Sequence, residues 1–281
     1  MDSAAGDPHM IDTGYGAPLS RREDARLVSG AGRFTADLLP DGLSHAVFVR
    51  SPQAHARIER INVSLAKAAP GVIAIVTAHE LAADGVSAIE SPVDLKRPDG
   101  SKAPSTPRPL LAGEVVRHVG EPVAMVIATS AAAAMDAAER IDVDYATLPS
   151  VTTCRAALAT GASAARSDVA DNIAFAWRHG DHDGVVRALA AAAHVARLEY
   201  GVTRVAAAPM EPRVTLAQPT DAGRMLVHAS TQNPYQLRDG LAKLFGLAPG
   251  AIRVVAGDVG GSFGMKAGVS REDALVFWAA R

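Results

Sequence analysis

The sequence of 281 residues contains a single cysteine, Cys154, and this scarcity limits the redox chemistry that the chain can carry by itself. An iron-sulfur cluster normally needs four thiolates and a disulfide needs two, so this chain can hold neither by itself. If the chain takes part in redox chemistry, the electrons must leave through another polypeptide or another cofactor. We expect Cys154 to pack as a small apolar residue rather than to act as a metal ligand or a nucleophile.

The chain also lacks a long apolar run, a basic block and a recognisable leader. No stretch of about 18 apolar residues is present, and residues 1–20 are acidic and glycine-rich where a secretory leader would be basic and then apolar. The formal net charge is −2, which gives no electrostatic footprint for nucleic acid or anionic lipid. We therefore expect a cytoplasmic protein whose partners are neither nucleic acid nor membrane.

What is present predicts two globular modules, because 281 residues exceed the roughly 150 residues of one typical domain. A polar arm over 1–20 precedes a module over 21–150 in which strand and helix signals alternate. Alanine, glycine, serine and threonine then form a linker over 151–170, and the second module occupies 171–281. Five prolines within 85–110 predict a long loop inside the first module.

Hydrophobic periodicity and capping signals predict the main elements. Strands are predicted over 43–50, 57–63, 72–76, 123–128, 141–145, 195–204, 214–218, 225–229 and 252–256, and helices over 130–140, 184–193 and 235–245. The segments 123–128, 130–140 and 141–145 read as a β-α-β unit that closes the first module. Four side chains are predicted to begin helices or turns: Ser64, Thr77, Asp183 and Ser270, the last in a capping box with Asp273.

The most informative segment is Gly257–Lys266, a glycine-rich stretch between the last predicted strand and the capping box. Backbone amides near a helix N-terminus can hold an anion. A P-loop would need glycine in place of Met265 and serine or threonine in place of Ala267, and the pattern G-x-G-x-x-G has no match before Gly268. Spacing alone leaves two interpretations open, a simple turn and an anion-binding loop.

A second cluster, His179–Asp183, contains four potential metal ligands within five residues. Neighbours this close cannot easily surround one ion without help from distant residues. We therefore favour a capped, solvated loop over a metal site, with Asp183 as the cap of the following helix.

Five short motifs occur in order along the chain. They are R-S-P-Q-A-H-A at 50–56, V-G-E-P-V-A at 119–124, M-E-P-R at 210–213, S-T-Q-N-P at 230–234 and G-G-S-F-G-M-K at 260–266. Together they resemble the molybdenum hydroxylases, a family that includes xanthine dehydrogenase, aldehyde oxidase and the large subunit of aerobic carbon monoxide dehydrogenase. The last motif is similar to that family's G-G-G-F-G-x-K loop. The resemblance extends from about Gly14 to Arg281 and implies an α+β fold, with an α/β hammerhead domain followed by the first, incomplete part of an α+β molybdopterin-binding domain.

The resemblance also implies roles for particular residues. Gln232 occupies the place of the glutamine whose amide N–H reaches an oxo ligand of molybdenum. The backbone around Phe263 and Gly264 would face the metal-pterin group, and Gly260 and Gly261 would allow close approach to it. From local chemistry alone, Gln232 could equally fix its own turn and Phe263 could equally be a core residue.

Two features separate this chain from family members. Ala267 stands where some members have a substrate-binding glutamate, which disfavours a purine substrate. The family's catalytic base is a glutamate far downstream, so the resemblance implies that the base is not in this chain and that the chain alone is inactive. Glu211 and Arg213 allow two interpretations, an ion pair that shapes the site and an ordinary salt bridge at a strand entry.

The function implied by the resemblance is that of a molybdopterin-binding large subunit, or its N-terminal part. Such a subunit oxidises an aldehyde, carbon monoxide or an N-heterocycle with water-derived oxygen. The implied cofactor is molybdopterin cytosine dinucleotide with molybdenum, which is held by the pterin. The implied partners are an iron-sulfur small subunit, an FAD medium subunit and the remaining large-subunit domain, in the same or a separate chain. A non-catalytic paralogue that binds cofactor or subunits as a scaffold is the alternative.

Overall fold

The computed structural model describes residues 15–16, 20–90 and 95–281. The strands are β1 His45–Arg50, β2 Ala56–Asn62, β3 Val72–Thr77, β4 Val115–Val116, β5 Pro122–Ala128, β6 Asp142–Thr147, β7 Thr215–Pro219, β8 Met225–Ala229 and β9 Ile252–Val255. The α-helices are α1 Asp24–Val28, α2 Ser64–Lys67, α3 Ala78–Ala83, α4 Ala131–Ala138, α5 Cys154–Ala157, α6 His182–Ala191, α7 Pro234–Leu244 and α8 Arg271–Ala280. None of the helices in these ranges combines the length and apolar character that a bilayer crossing requires.

The first module contains two antiparallel sheets, ordered β1-β5-β3 and β4-β2-β6. β5 is the central strand of its sheet and is buried at every position except Ile127, which agrees with its continuous apolar sequence. The predicted β-α-β unit is wrong in its topology, because β5 and β6 lie in different sheets. Helix α4 joins them, with Ser130 as its N-cap and Ala134 and Ala137 fully buried.

The second module has a mixed sheet ordered β7-β8-β9, in which β7 and β8 form the predicted hairpin and β9 runs parallel to β8. Helix α7 follows the N-cap Asn233 and ends at Leu244; Gly246, two residues later, has a φ of 63°, which suits a residue without a Cβ. Helix α8 begins at the predicted capping box, in which Ser270 and Asp273 exchange hydrogen bonds with each other's backbone.

One buried apolar cluster contains residues of both modules. Leu81 and Met125 of the first module belong to the same buried cluster as Leu275 and Phe277 of α8. Full burial of a side chain such as Phe277 stabilises the fold by about 1.5–3 kcal/mol relative to exposure. The packing of α8 therefore fixes the segment that precedes it against the first module.

Several local predictions are wrong for identifiable reasons. Residues 195–204 do not form a strand, because in the described part of the chain they have no hydrogen-bonded neighbour strand. Ser64 lies inside α2 and makes no capping bond, and the N-cap of α6 is Asp181, whose carboxylate accepts from the Gly184 N–H, rather than Asp183. Cys154 is exposed at the start of α5, a four-residue helix that buries no residue. The predicted cap Thr77 is confirmed.

Candidate functional site

The glycine loop contains a tight turn with an unusual backbone. The Met265 N–H donates to the Ser262 carbonyl at 3.0 Å, and the two residues between them, Phe263 and Gly264, have φ of 51° and 91°. Positive φ at both central positions is typical of a type I′ turn, which glycine adopts freely and a bulky side chain rarely does. The Phe263 ring is 80% exposed, so it is not a core residue in this structure.

A buried ion pair supports this turn from below. The Lys266 ammonium is fully buried and donates to the Glu211 carboxylate at 3.0 Å, to the Glu211 carbonyl at 2.9 Å and to the Ser230 hydroxyl at 2.6 Å. All three ammonium protons are thereby used, which is the condition under which a buried lysine is tolerated. The motifs at 210–213, 230–234 and 260–266 therefore meet at one polar cluster.

Glu211 is the centre of that cluster. Its Oε2 also accepts from the Ser230 hydroxyl at 2.6 Å and from the Gly260 N–H at 2.8 Å, while its Oε1 is buried and has no hydrogen-bond partner among the residues that the structure describes. Burial alone raises the pKa of this carboxyl, but the hydrogen bonds from Ser230, Gly260 and Lys266 outweigh it and lower the pKa below the usual value. Glu211 is therefore held as a carboxylate. It does not pair with Arg213, which lies instead 3.6 Å from Glu272 of α8.

The glycines of the motif have structural reasons in this chain. A Cβ at Gly260 would lie 2.5 Å from the Glu211 Cβ, and one at Gly261 would lie 3.1 Å from both Pro209 and Phe263. A Cβ at Gly264 would meet nothing within 4 Å. The close approach of Gly260 and Gly261 is thus to the chain's own residues, and their contact with a ligand stays a prediction.

Gln232 lies against the turn. Its backbone N–H donates to the Lys266 carbonyl at 3.1 Å, and its side-chain Oε1 accepts from the Ser262 hydroxyl. Ser262 Oγ in turn accepts from the Lys266 N–H at 3.1 Å. Gln232 is exposed, and within the described ranges its Nε2 has no acceptor in the chain. Gln232 and the glycine turn, which the sequence placed in separate motifs, therefore form one continuous surface.

The start of the glycine loop is anchored to the N-terminal part of the chain. Asp258 accepts from the Arg33 N–H at 2.7 Å and from both terminal nitrogens of Arg26 in α1. The Arg26 guanidinium and the Arg33 amide lower the pKa of Asp258 to about 2. The sequence does not predict this contact, because nothing in the local pattern links residues that are more than 220 positions apart.

The first two motifs also lie at the module boundary. The Ser51 N–H donates to the Glu121 carbonyl at 2.9 Å, so the motifs at 50–56 and 119–124 pair with each other. Arg50 donates to Glu272 at 2.6 Å, and Arg271 donates to the buried Glu121 carboxylate at 2.9 Å. These bonds connect both motifs to the first turn of α8. They orient the helix that follows the glycine loop.

The cluster His179–Asp183 does not gather into a metal-binding geometry. In the part of the chain that the structure describes, no group of three or more histidine, cysteine or acidic side chains is arranged to hold an ion. The Trp177 and His179 rings stack with centroids 5.8 Å apart, and Asp181 caps α6.

The fold and this surface define a class of protein. The family model described as the aldehyde oxidase and xanthine dehydrogenase a/b hammerhead domain matches residues 29–149, and the model described as the molybdopterin cofactor-binding domain matches residues 165–281. The architecture is therefore a hammerhead domain followed by part of a molybdopterin-binding domain, as the resemblance implied.

Individual proteins agree with these models. The chain is 37% identical to the nicotine 6-hydroxylase large subunit of Paenarthrobacter nicotinovorans over 98% of its own length and 33% of that protein. It is 32% identical to the carbon monoxide dehydrogenase large chain of Afipia carboxidovorans, over 91% of this chain and 32% of that one. The crystal structure of quinoline 2-oxidoreductase from Pseudomonas putida 86 superposes with a TM-score of 0.81 at 36% identity, covering 93% of this chain and 32% of that one.

The chain belongs to the molybdenum hydroxylase family and corresponds to the N-terminal third of the large subunits. It spans about a third of the length of the curated relatives that it matches. The sequence-based assignment to this family is confirmed.

The residues at the surface fit one edge of a molybdopterin cofactor. Such a cofactor is a polar ring system. The chain presents to solvent the Gln232 NH2, which has no acceptor in the described ranges, and the exposed ring of Phe263 in the turn that Gln232 contacts through Ser262. The open space next to Gly264 leaves the turn backbone accessible. The buried Lys266 ammonium binds Ser230, which lies two residues before Gln232, and its partner Glu211 accepts from the Gly260 N–H of the glycine loop.

Proposed function

We propose that the chain supplies one wall of the cofactor site in a molybdenum-dependent oxidoreductase, with molybdopterin cytosine dinucleotide as the cofactor. Gln232, Phe263 and Gly264 would contact it, and Gly260 and Gly261 would shape the backbone beneath. The observation that carries this proposal is the position of Gln232 against the glycine turn. Its backbone N–H and its Oε1 are hydrogen-bonded to Lys266 and Ser262, and its Nε2 has no acceptor among the described residues. When bound, the cofactor supplies a two-electron oxidation and the transfer of water-derived oxygen to the substrate.

The chain's own residues position groups rather than move protons. The carboxylate of Glu211 is hydrogen-bonded to the glycine loop, and three donors converge on its Oε2. A base must accept a proton readily near neutral pH, whereas these donors stabilise the charged form of Glu211. This supports the proposal that the catalytic base comes from outside these 281 residues and that the chain alone does not turn over.

An N-heterocyclic substrate agrees best with the relatives. Two of the more similar proteins are named for nicotine and quinoline, both of which contain a pyridine-type ring. Ala267 disfavours a purine, because it has no carboxylate to accept hydrogen bonds from a purine N–H. We propose hydroxylation of an electron-poor ring carbon. Electrons would pass to iron-sulfur and FAD subunits, since the single cysteine of this chain cannot hold a cluster.

The test is intact mass together with metal analysis of protein purified natively from its source. A complex that carries about one molybdenum and contains flavin and iron-sulfur subunits would support the proposal. A lone chain of 29.0 kDa without molybdenum would overturn it and favour the scaffold alternative. Turnover of an N-heterocycle with a dye acceptor by the lone chain would contradict the absence of a base.

A further inference from the structure

Ser262 is the position at which the loop departs from the glycine pattern of its family. The motif reads Gly260-Gly261-Ser262-Phe263-Gly264, so a hydroxyl is present where the pattern G-G-G-F-G has no side chain. Ser262 is partly buried, and its hydroxyl contacts both Gln232 and the backbone of Lys266. It has one proton to donate and can accept from two partners.

The hydrogen-bond roles of Ser262 follow from its neighbours. Its Oγ accepts from the Lys266 N–H at 3.1 Å, and a backbone N–H can only donate. Its single proton then goes to Gln232 Oε1, the acceptor with which it is in contact. Because an amide oxygen and an amide nitrogen lie on opposite sides of the same carbon, engaging Oε1 determines where Nε2 points.

The consequence concerns which kind of group the site offers. A free glutamine amide rotates and presents a donor or an acceptor with similar ease. With Oε1 engaged, the remaining polar group is the NH2, which in the described part of the chain has no acceptor and belongs to an exposed residue. The site is thereby set to bind an acceptor oxygen.

The turn supports this arrangement. Phe263 has a φ of 51°, a conformation that a bulky side chain adopts at a cost, and its ring is 80% exposed and gains little from packing. The Met265 N–H to Ser262 carbonyl bond and the Lys266 N–H to Ser262 Oγ bond hold the backbone there. Backbone held in a sparsely populated conformation without a packing reason is a feature of ligand-binding sites.

We propose that Ser262 is a positioning residue that fixes the amide orientation of Gln232, so that an N–H donor faces the bound cofactor. The inference rests on the proposed function for the identity of the ligand. The orientation itself is a property of the chain alone and can be measured without cofactor.

The first arm of the test is 15N relaxation of glutamine side-chain amides in the 281-residue chain without cofactor, with the Gln232 signal assigned by its loss in Gln232→Met. The Gln232 amide is expected to be ordered in the wild type and to fall below an order parameter of about 0.6 in Ser262→Ala. Ser262→Thr, which keeps the hydroxyl, restores the order. The Gln236 amide, whose Oε1 accepts from Asn233 rather than Ser262, is the internal control and does not change. Equal mobility of Gln232 in wild type and Ser262→Ala, or no recovery in Ser262→Thr, overturns the proposal.

The second arm separates this inference from the proposed function. In natively purified complex, Ser262→Ala is expected to retain the cofactor about fivefold less tightly, as for loss of one neutral hydrogen bond, and Gln232→Met at least as poorly. Loss of retention in Gln232→Met without a mobility change in Ser262→Ala supports the site and overturns the role of Ser262. A mobility change with full retention in both variants supports the fixed amide and overturns its assignment to the cofactor.

Discussion

Two regions of the second module differ in how many of their side chains have partners within the chain. The segment 257–273 is held by ion pairs and hydrogen bonds to α1, to Glu211 and to the first module. The segment 182–210 begins with α6, which has no buried residue, and continues through irregular backbone in which Leu198, Tyr200 and Val202 are 75–85% exposed.

The difference shows that one module contains both a preorganised polar surface and a surface of exposed apolar side chains. Around the glycine loop, the buried Lys266 ammonium is paired with Glu211, and the backbone N–H groups of Gly260 and Met265 have acceptors within the chain. In 182–210, many large apolar side chains are exposed to solvent, and such surfaces are typical of sites where another protein segment binds. Because the chain spans a third of its relatives, the first region can be tested in the chain alone, whereas the second requires measurements of association.

The largest effect is expected from breaking the buried ion pair. Lys266→Met removes an ammonium that is fully buried and leaves the Glu211 carboxylate without its partner, which costs about 3–5 kcal/mol of unfolding free energy in urea. The matched control is Lys243→Met, whose pair with Glu90 is exposed on both sides and contributes about 0–1 kcal/mol. Equal effects of the two substitutions would contradict the contrast between a preorganised loop and an ordinary surface.

A smaller effect on stability is expected from adding a side chain at Gly260, which contacts Glu211. In Gly260→Ala the new Cβ lies 2.5 Å from the Glu211 Cβ, so the loop must move, at a cost of about 1–3 kcal/mol. Gly268→Ala, two residues after the loop, is the control, since its Cβ meets nothing within 4 Å and its φ is not positive. If thermal unfolding of the two variants coincides, the close approach of Gly260 to Glu211 is not what the motif glycine provides.

These two positions also indicate how far sequence reasoning extends. The family pattern identified Gly260 and Lys266, but it assigned the glycine to ligand approach, and the structure gives it a reason in the chain itself, the contact with Glu211. A fully buried lysine must be paired, so an acidic partner for Lys266 is expected. The sequence does not show which of the 30 acidic residues is that partner, because the pairing depends on the sheet in which β8 and β9 are neighbours.

The strand predicted over 195–204 fails for the opposite reason. Its composition favours a strand, but a strand also needs a hydrogen-bonded neighbour, and none exists for it in the described part of the chain. The caps at Thr77 and Ser270 are confirmed, and in both the donor and acceptor lie within three residues of each other. The caps predicted at Ser64 and Asp183 are wrong, because the helix start differs there by one or two residues. Contacts such as Asp258 with Arg26 were not predictable, because they depend on the completed fold.

The anchor at Asp258 predicts a pH dependence that further separates the two regions. Its folded pKa of about 2 lies below the ordinary value of 3.8, so its contribution to stability is fully present above pH 3.8 and is lost as the pH falls through about 2. Asp258→Asn is expected to lower the urea midpoint at pH 6, and the difference from wild type is expected to shrink between pH 4 and pH 2. A difference that stays constant over this range would contradict the Arg26 contact, since an uncharged contact does not titrate there.

The smallest effect on stability is expected in 182–210. The triple variant Leu198→Ser, Tyr200→Ser, Val202→Ser changes side chains that are already 75–85% exposed, so each substitution should alter unfolding free energy by no more than about 0.5 kcal/mol. Self-association, measured by sedimentation velocity across a concentration series, should fall, because contiguous exposed apolar surface drives association. Leu65→Ser on α2, 70% exposed in the other module, is the control and should leave association unchanged. A loss of several kcal/mol of unfolding free energy in the triple variant would mean that this segment packs against the rest of the chain. The contrast between the two regions would then be wrong.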